Sequence, residues 1–288
     1  MFDRAQRRAD RALTPPQVGP WNRRRLIAVF AAAVTGCALV LLGLGLAVYY
    51  TLQPDWHPAS APQGDAGGSG ETGAGSRSPA GPAGHRLTED ALANRGMPTV
   101  SVDAAQPGPV SARDPGQIVV PAATRTGPAG VPTGFPHTPQ GALGQLAAID
   151  QTAMQSGSLD GVRAVIADWA APGGPTPTGW SAVAAMTDFL NSAGLSGGGG
   201  SQLSLVVTPL MGLIKGTVGS DFVLPCVDFQ FDVTLQTTVH VAAADCQRMV
   251  WRDDRWVVGP GPEPANPPSV WADTDIAITV GYKDLRHA

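Results

Sequence analysis

The feature that most constrains this chain is an uninterrupted apolar run near its N-terminus. Between Leu26 and Gln53 the sequence contains no Asp, Glu, Lys, Arg or His. At about 1.5 Å per residue, a helix over residues 26–52 is long enough to cross a hydrocarbon layer of about 30 Å. A helix is also the form in which one segment satisfies its own backbone hydrogen bonds in lipid. We therefore predict a single transmembrane anchor helix over residues 26–52.

The residues before the run predict its orientation. Residues 1–25 carry seven Arg against two acidic residues, a net charge of +5, and Arg23, Arg24 and Arg25 directly precede the run. Arginines at one end of a span are typical of its cytoplasmic side. A cleaved signal peptide is the alternative, but its apolar region is roughly 7–15 residues long and a small-residue cleavage site follows it. The pattern favours an uncleaved anchor with a cytoplasmic N-terminus and an extracytoplasmic remainder.

The composition changes sharply after the apolar run. Residues 53–134 contain 26 Gly or Pro in 82 positions and a single aromatic residue, Trp56. Such a segment buries too little apolar surface to offset the entropy of ordering it. We predict a disordered linker over residues 53–134. The short apolar run QIVVP (residues 117–121) has the composition of a strand, although its surroundings favour the linker.

Residues 135–288 are the part of the chain able to build a core, because they hold eleven of its seventeen aromatic residues. Their first third predicts three helices. Thr138 followed by Pro139 is typical of a helix start, Ser158 is a candidate cap of the second helix, and the third begins near Trp180. A glycine run at residues 196–201 then separates the helices from segments rich in β-branched and alternating residues. Helices followed by antiparallel strands predict an α+β domain.

The alternating segment around Phe229 predicts a half-buried strand, with Asp228 among its solvent-facing residues. A hairpin centred on Gln236 would place this strand beside the next one, with Cys226 opposite Cys246 and Asp232 opposite His240. Outside the cytoplasm two such cysteines are expected to form a disulfide. The turn lacks the usual Gly or Asn, so free thiols remain the alternative.

The sequence carries no strong signature of catalysis. No phosphate-binding loop, zinc-protease motif or dinucleotide fingerprint is present. Residues 194–198 match G-x-S-x-G, but they follow a predicted helix, whereas a nucleophile elbow follows a strand. Residues 135–288, which we call the outer domain, contain fourteen acidic residues against seven Lys and Arg, which disfavours nucleic-acid binding through their surface. We expect no enzyme activity, no cofactor and no metal.

The order of arginine arm, span, loose linker, helices and antiparallel sheet resembles membrane scaffolds of bacterial conjugation and type IV secretion. The chain is most similar to TcpC-type proteins of Gram-positive conjugative elements, and its segments GFPHTPQGA (134–142) and DCQRMVWRDDRWVVGPGPEP (245–264) look like those of actinobacterial envelope proteins. The resemblance covers residues 135–288 and implies a cone-shaped, nuclear-transport-factor-two-like domain, in which the helices pack on a curved antiparallel sheet. It also implies a non-enzymatic scaffold subunit in the bacterial cell membrane, whose partners are envelope-complex proteins or a second copy of itself.

The same resemblance implies a pocket between sheet and helices. Its expected lining residues are Trp180, Phe229, Phe231 and Trp256, which would otherwise simply fill the core. A ligand-binding or sensory surface domain using this pocket is the alternative function. An extracytoplasmic enzyme is a further alternative, which requires His137 or His240 to face a cleft beside an acid or hydroxyl.

Overall fold

The structure is a computed structural model that describes residues 82–288, so the predicted anchor, its flanking arginines Arg23–Arg25 and the first part of the predicted linker lie outside the described residues. Within residues 82–288, no helix combines the length and the apolar character that crossing a bilayer requires. The helices are α1 (Pro82–Asn94), α2 (Pro139–Gln155), α3 (Leu159–Trp169), α4 (Ser181–Ser192) and α5 (Asp275–Val280). The strands are β1 (Gln117–Val120), β2 (Arg125–Thr126), β3 (Pro132–Thr133), β4 (Ser204–Val218), β5 (Phe222–Thr234), β6 (Thr238–Cys246), β7 (Met249–Arg252), β8 (Arg255–Val258) and β9 (Lys283–His287).

The three predicted helices before the sheet are confirmed as α2, α3 and α4, and two begin with the predicted caps. The hydroxyl of Thr138 accepts a hydrogen bond from the Gly141 N–H, and the hydroxyl of Ser158 accepts one from the Gly161 N–H. Helix α4 begins differently. A carboxylate oxygen of the distant Glu263 accepts from the Ser181 N–H at 2.9 Å, in the way a capping side chain would.

The strands form a curved, half-barrel sheet in the order β1-β9-β4-β5-β7-β8, with β6 as a further partner of β5. The helices cover this sheet, so the α+β class is confirmed. The prediction of a purely antiparallel sheet is wrong at one edge, because β1 runs parallel to β9. The C-terminal residues divide into α5 and β9, because Gly281 at φ 104° ends the helix.

The predicted hairpin register is confirmed. Strands β5 and β6 pair around Gln236, with Cys226 opposite Cys246 and Asp232 opposite His240. The two cysteines form a disulfide, and their Cα atoms lie 4.0 Å apart. The bond therefore joins directly opposed residues of two neighbouring strands.

The sheet is covered on both faces. On the helix face, the side that packs against α2, α3 and α4, residues such as Val227, Phe229 and Phe231 enter the main core. On the opposite side, which we call the strap face, Cys226 and Cys246 pack in a second cluster with Met211, Val270, Ala277 and Tyr282. The prediction that β5 is half-buried is therefore wrong at Asp228, which is 1% exposed and accepts a backbone hydrogen bond from Val270.

Part of the covering layer is a segment predicted as linker. We call residues 82–116 the N-terminal strap. The Ala104 carbonyl accepts from the Trp271 N–H at 2.6 Å, and the Ser111 N–H donates to the Asp273 carbonyl at 2.7 Å. The strap leads directly into β1, which extends the sheet. The prediction of disorder is thus wrong for residues 82–134, because these residues are ordered by contacts with the domain rather than by a core of their own.

Helix α1 attaches the strap through two buried cations. Arg248, whose side chain is 3% exposed, contacts a carboxylate oxygen of Asp90 at 2.7 Å and donates to the Pro262 carbonyl at 2.8 Å. The Lys215 ammonium group donates to the Arg95 carbonyl at 2.6 Å. Buried cations need partners. The strap supplies them both to Lys215 on β4 and to Arg248 in the loop between β6 and β7.

We predict that Asp90→Asn loosens the strap, because it leaves the buried Arg248 without its counter-charge. The free energy of unfolding should fall by about 1–3 kcal/mol, the cost of a buried donor that loses its partner, and trypsin should cleave faster after Arg95. Asp275→Asn is the matched control, because Asp275 joins the strap through the solvent-exposed Arg113, and exposed ion pairs contribute little. Equal cleavage rates in the two variants would contradict the assigned role of Asp90.

We also predict that the disulfide contributes about 3 kcal/mol to stability, the value typical of a closed loop of this size. Urea unfolding of Cys226→Ala/Cys246→Ala should show this loss, and the wild-type protein should lose a similar amount in reductant. Alkylation of unreduced, denatured protein should leave the peptides with Cys226 and Cys246 unlabelled. Labelling of both peptides would refute the bond.

Candidate functional site

A cavity of about 280 Å³ lies between the helix face of the sheet and helices α2 and α4. Strands β5 and β6 supply one wall, α2 and α4 supply another, and residues 266–269 border it after β8. Its lining combines aromatic and small apolar side chains with two carboxyl groups, those of Asp150 and Asp245. We call it the carboxyl cavity. It is the strongest candidate site among the described residues, because it brings ionisable groups and apolar walls together.

The four residues predicted to line a pocket divide into two pairs. Phe229 and Phe231 line the carboxyl cavity from β5 and pack edge to face, with ring centroids 6.3 Å apart. Trp180 and Trp256, each 1% exposed, do not line the cavity and belong to the core. The Trp256 indole N–H donates to the Pro136 carbonyl at 3.0 Å. Of the four residues expected to line the pocket, the two phenylalanines line the cavity and the two tryptophans are part of the core.

Asp150 comes from the middle of α2 and is 4% exposed. It follows Leu146 by four residues and Leu143 by seven, which puts it on the apolar face of the helix. Neither of its carboxylate oxygens meets a hydrogen-bond donor among the described residues. Burial, followed by the charge of Asp245, raises its pKa well above the usual value. An acid in a core position of the helical period was a usable signal that the sequence analysis missed.

Asp245 reaches the cavity from β6. It is opposite Val227 in the register, so it shares the helix face with Phe229 and Phe231. Burial raises its pKa to about 6, with Glu263 adding to the effect and the Gln247 side chain opposing it. The signal for Asp245 was the two-residue period of β6, in which Val239, Val241, Ala243 and Asp245 lie on one face.

The two carboxyl groups interact, because the charge of Asp245 raises the pKa of Asp150. A hydrogen bond between two carboxyl groups requires that one of them holds a proton, because a carboxylate has no donor. Two interacting acids of this kind titrate as a pair. The lining of the cavity contains no His, Cys, Lys or Arg, so no cationic side chain lies beside the pair. The arrangement can hold a proton or accept hydrogen bonds from a bound group.

The two histidines required by the enzyme alternative each contact an acid away from the cavity. His137 lies 2.9 Å from Asp221 and stacks on Trp251 with ring centroids 4.3 Å apart. His240 lies 2.6 Å from Asp232 on the strap face, and this hydrogen bond lowers the pKa of Asp232. Neither histidine lines the carboxyl cavity. Across residues 82–288, no group of three or more His, Cys, Asp or Glu is arranged to hold a metal ion.

A larger depression, of about 740 Å³, lies near the edge formed by β1 and β9. Apart from Lys283, its lining carries no ionisable side chain. It therefore has fewer ionisable groups that could bind a ligand than the carboxyl cavity has.

Comparison of the chain with protein-family models, curated proteins and solved structures found no match.

The raised pKa values predict that the domain loses stability as the pH rises. In the folded chain Asp245 keeps its proton up to a pH of about 6, whereas the unfolded chain releases it near pH 4. The stabilising proton is fully effective below the unfolded value and is lost as pH rises through the folded value. Asp245→Asn should therefore be more stable than wild type at pH 7.5, by up to about 3 kcal/mol, with the gain vanishing near pH 4.

Urea unfolding at the two pH values measures this gain. Asp188→Asn is the control, because Asp188 is exposed on α4 and should change neither value. A gain of equal size at pH 4 and pH 7.5 would show that the substitution acts through packing and not through the buried acid.

Proposed function

We propose that this protein is a non-enzymatic scaffold subunit of a bacterial conjugation or secretion-like envelope complex. In this proposal residues 26–52 anchor it in the cell membrane, the arginine arm is cytoplasmic, and the outer domain makes protein contacts. The proposal is supported by the uncharged apolar run, by the resemblance in element order, and by a disulfide of the kind that persists outside the cytoplasm. A cone-shaped, nuclear-transport-factor-two-like fold is part of the same proposal.

One observation carries the protein-contact role, namely the outer edge of β6. This strand pairs with β5 and has no strand partner on its other side among residues 82–288. Its first residues, Thr238 to His240, are exposed. Natural proteins usually protect such an edge with charges, prolines or a covering element. Here the hairpin tip, residues 233–239, contains no charged side chain.

Exposed aliphatic side chains accompany this edge. Val206, Leu235 and Val239 are 48%, 40% and 55% exposed. Leu235 and Val239 belong to the hairpin turn and to β6 itself, whereas Val206 is on β4, which β5 separates from this edge. Strand addition to an open edge takes affinity from main-chain hydrogen bonds and specificity from side chains beside the edge. The partner in this proposal is a protein that adds an extended segment to β6.

We predict that a photo-crosslinking amino acid in place of Val239 captures a protein of the envelope complex, or a second copy of this chain, in intact cells. The same amino acid in place of Val110 is the control, because Val110 is 76% exposed in the strap and lies outside the hairpin. Crosslinks of equal yield at both positions would contradict a specific edge contact.

A charge at the edge should interfere with strand addition. With the crosslinker at Leu235, Val239→Lys should therefore lower the yield of the same adduct several-fold. An unchanged yield would argue that the contact does not use the edge of β6.

A second candidate function is ligand binding by the outer domain. The carboxyl cavity favours it, because an apolar cavity with a few convergent polar groups is the usual form of a small-molecule site.

A further inference from the structure

The polar groups of the carboxyl cavity are incompletely satisfied by the protein. Asp150 is more than nine-tenths buried, yet neither of its carboxylate oxygens receives a hydrogen bond from a described residue, and Oδ2 of Asp245 receives none either. A buried acceptor without a donor costs about 1–3 kcal/mol. Both residues line the same cavity, so a single bound group could supply the missing donors.

The local charge favours a cation. Glu263, whose carboxylate caps the N-terminus of α4, adds negative potential at both aspartates. The cavity lining contributes no Lys, Arg or His to offset it. A positively charged donor entering the cavity would therefore meet the two aspartates, with the negative potential of Glu263 behind them.

The walls favour an organic cation over a metal ion. Phe229 and Phe231 face the same space as Met154 and several alanines, and the face of an aromatic ring attracts an ammonium group. Calcium requires six to eight oxygen ligands, whereas the lining offers two carboxyl groups and few other oxygens. The Ser269 hydroxyl, one of these, already accepts a hydrogen bond from the Ala244 N–H.

The volume limits the size of the ligand. A cavity of about 280 Å³ corresponds to the space of about nine water molecules at roughly 30 Å³ each. This suits a molecule of roughly ten non-hydrogen atoms, at the small end of protein ligand sites.

We propose that the carboxyl cavity binds a small primary amine, with its ammonium group held by Asp150 and Asp245 and its apolar body against Phe229 and Phe231. The proposal rests on the second candidate function, ligand binding, and names its ligand class. The ammonium group supplies three N–H donors, which satisfy the carboxylate oxygens that the protein leaves without partners.

Binding also carries a proton balance. Before binding, the aspartate pair holds one proton. When the ammonium group binds, this proton is released to the buffer and both carboxyl groups are ionised. No other bond forms or breaks. Heats of binding measured near pH 6 should then depend on the ionisation enthalpy of the buffer, because the pKa of Asp245 is about 6.

The test is isothermal titration calorimetry on the full chain in detergent, with 2-phenylethylamine as the probe and 2-phenylethanol as its neutral counterpart of the same shape. We expect the amine to bind and the alcohol to give no measurable heat. Asp150→Asn keeps the shape of the side chain and should weaken amine binding at least tenfold. Asp188→Asn, on the exposed side of α4, should bind as wild type does. Circular dichroism confirms that both variants are folded.

Each contrary result has a separate meaning. Equal binding of the alcohol would overturn the ammonium assignment while keeping the cavity as a ligand site. Absence of binding by both compounds would overturn the assignment and the second candidate function together. Unchanged amine affinity in Asp150→Asn, or displacement of the amine by calcium chloride, would overturn the role given to the aspartate pair. Heats near pH 6 that are independent of the buffer would do the same.

Discussion

The structure depends on the burial of β5 on both faces. From Phe222 to Phe229 every residue of this strand is buried, so the strand needs one layer on each side. Helices α2, α3 and α4 form the first layer. The second consists of the N-terminal strap, which begins with α1, and the residues before α5. The disulfide from Cys226 fixes β6 beside β5, and this register is what places Asp245 on the helix face opposite α2.

Local signals in the sequence predicted the elements that are determined locally. The caps at Thr138 and Ser158 and the symmetric spacing of the cysteines about Gln236 indicated helix starts and the hairpin register. The strap was missed because its order comes from backbone groups. Contacts such as Trp271 N–H to the Ala104 carbonyl leave no mark in composition, and a Pro- and Gly-rich segment can be held by a partner surface that it could not build itself. The parallel pairing of β1 with β9 joins residues more than 160 positions apart, which no local pattern reveals.

The candidate site was predictable only in part. Alternation along β5 was enough to put Phe229 and Phe231 on one face. The resemblance that grouped Trp180 and Trp256 with them could not separate cavity walls from core. Asp150 and Asp245 both interrupt apolar periods, one helical and one extended. Each interruption could be read as a solvated residue. Only the tertiary packing of α2 on the sheet brings the two acids together and removes them from water.

The course of the strap has a mechanical consequence. Tension from the N-terminal side of the chain enters the described domain at Pro82, far in sequence from the cavity and from the edge of β6. It reaches the buried contacts of Arg248 and Lys215 with α1 first, and only then β1. Because β1 lies alongside β9 through a row of evenly spaced hydrogen bonds, a pull along its length loads these bonds together. A load applied at Pro82 would therefore fall first on the contacts of α1 and on the pairing of β1 with β9.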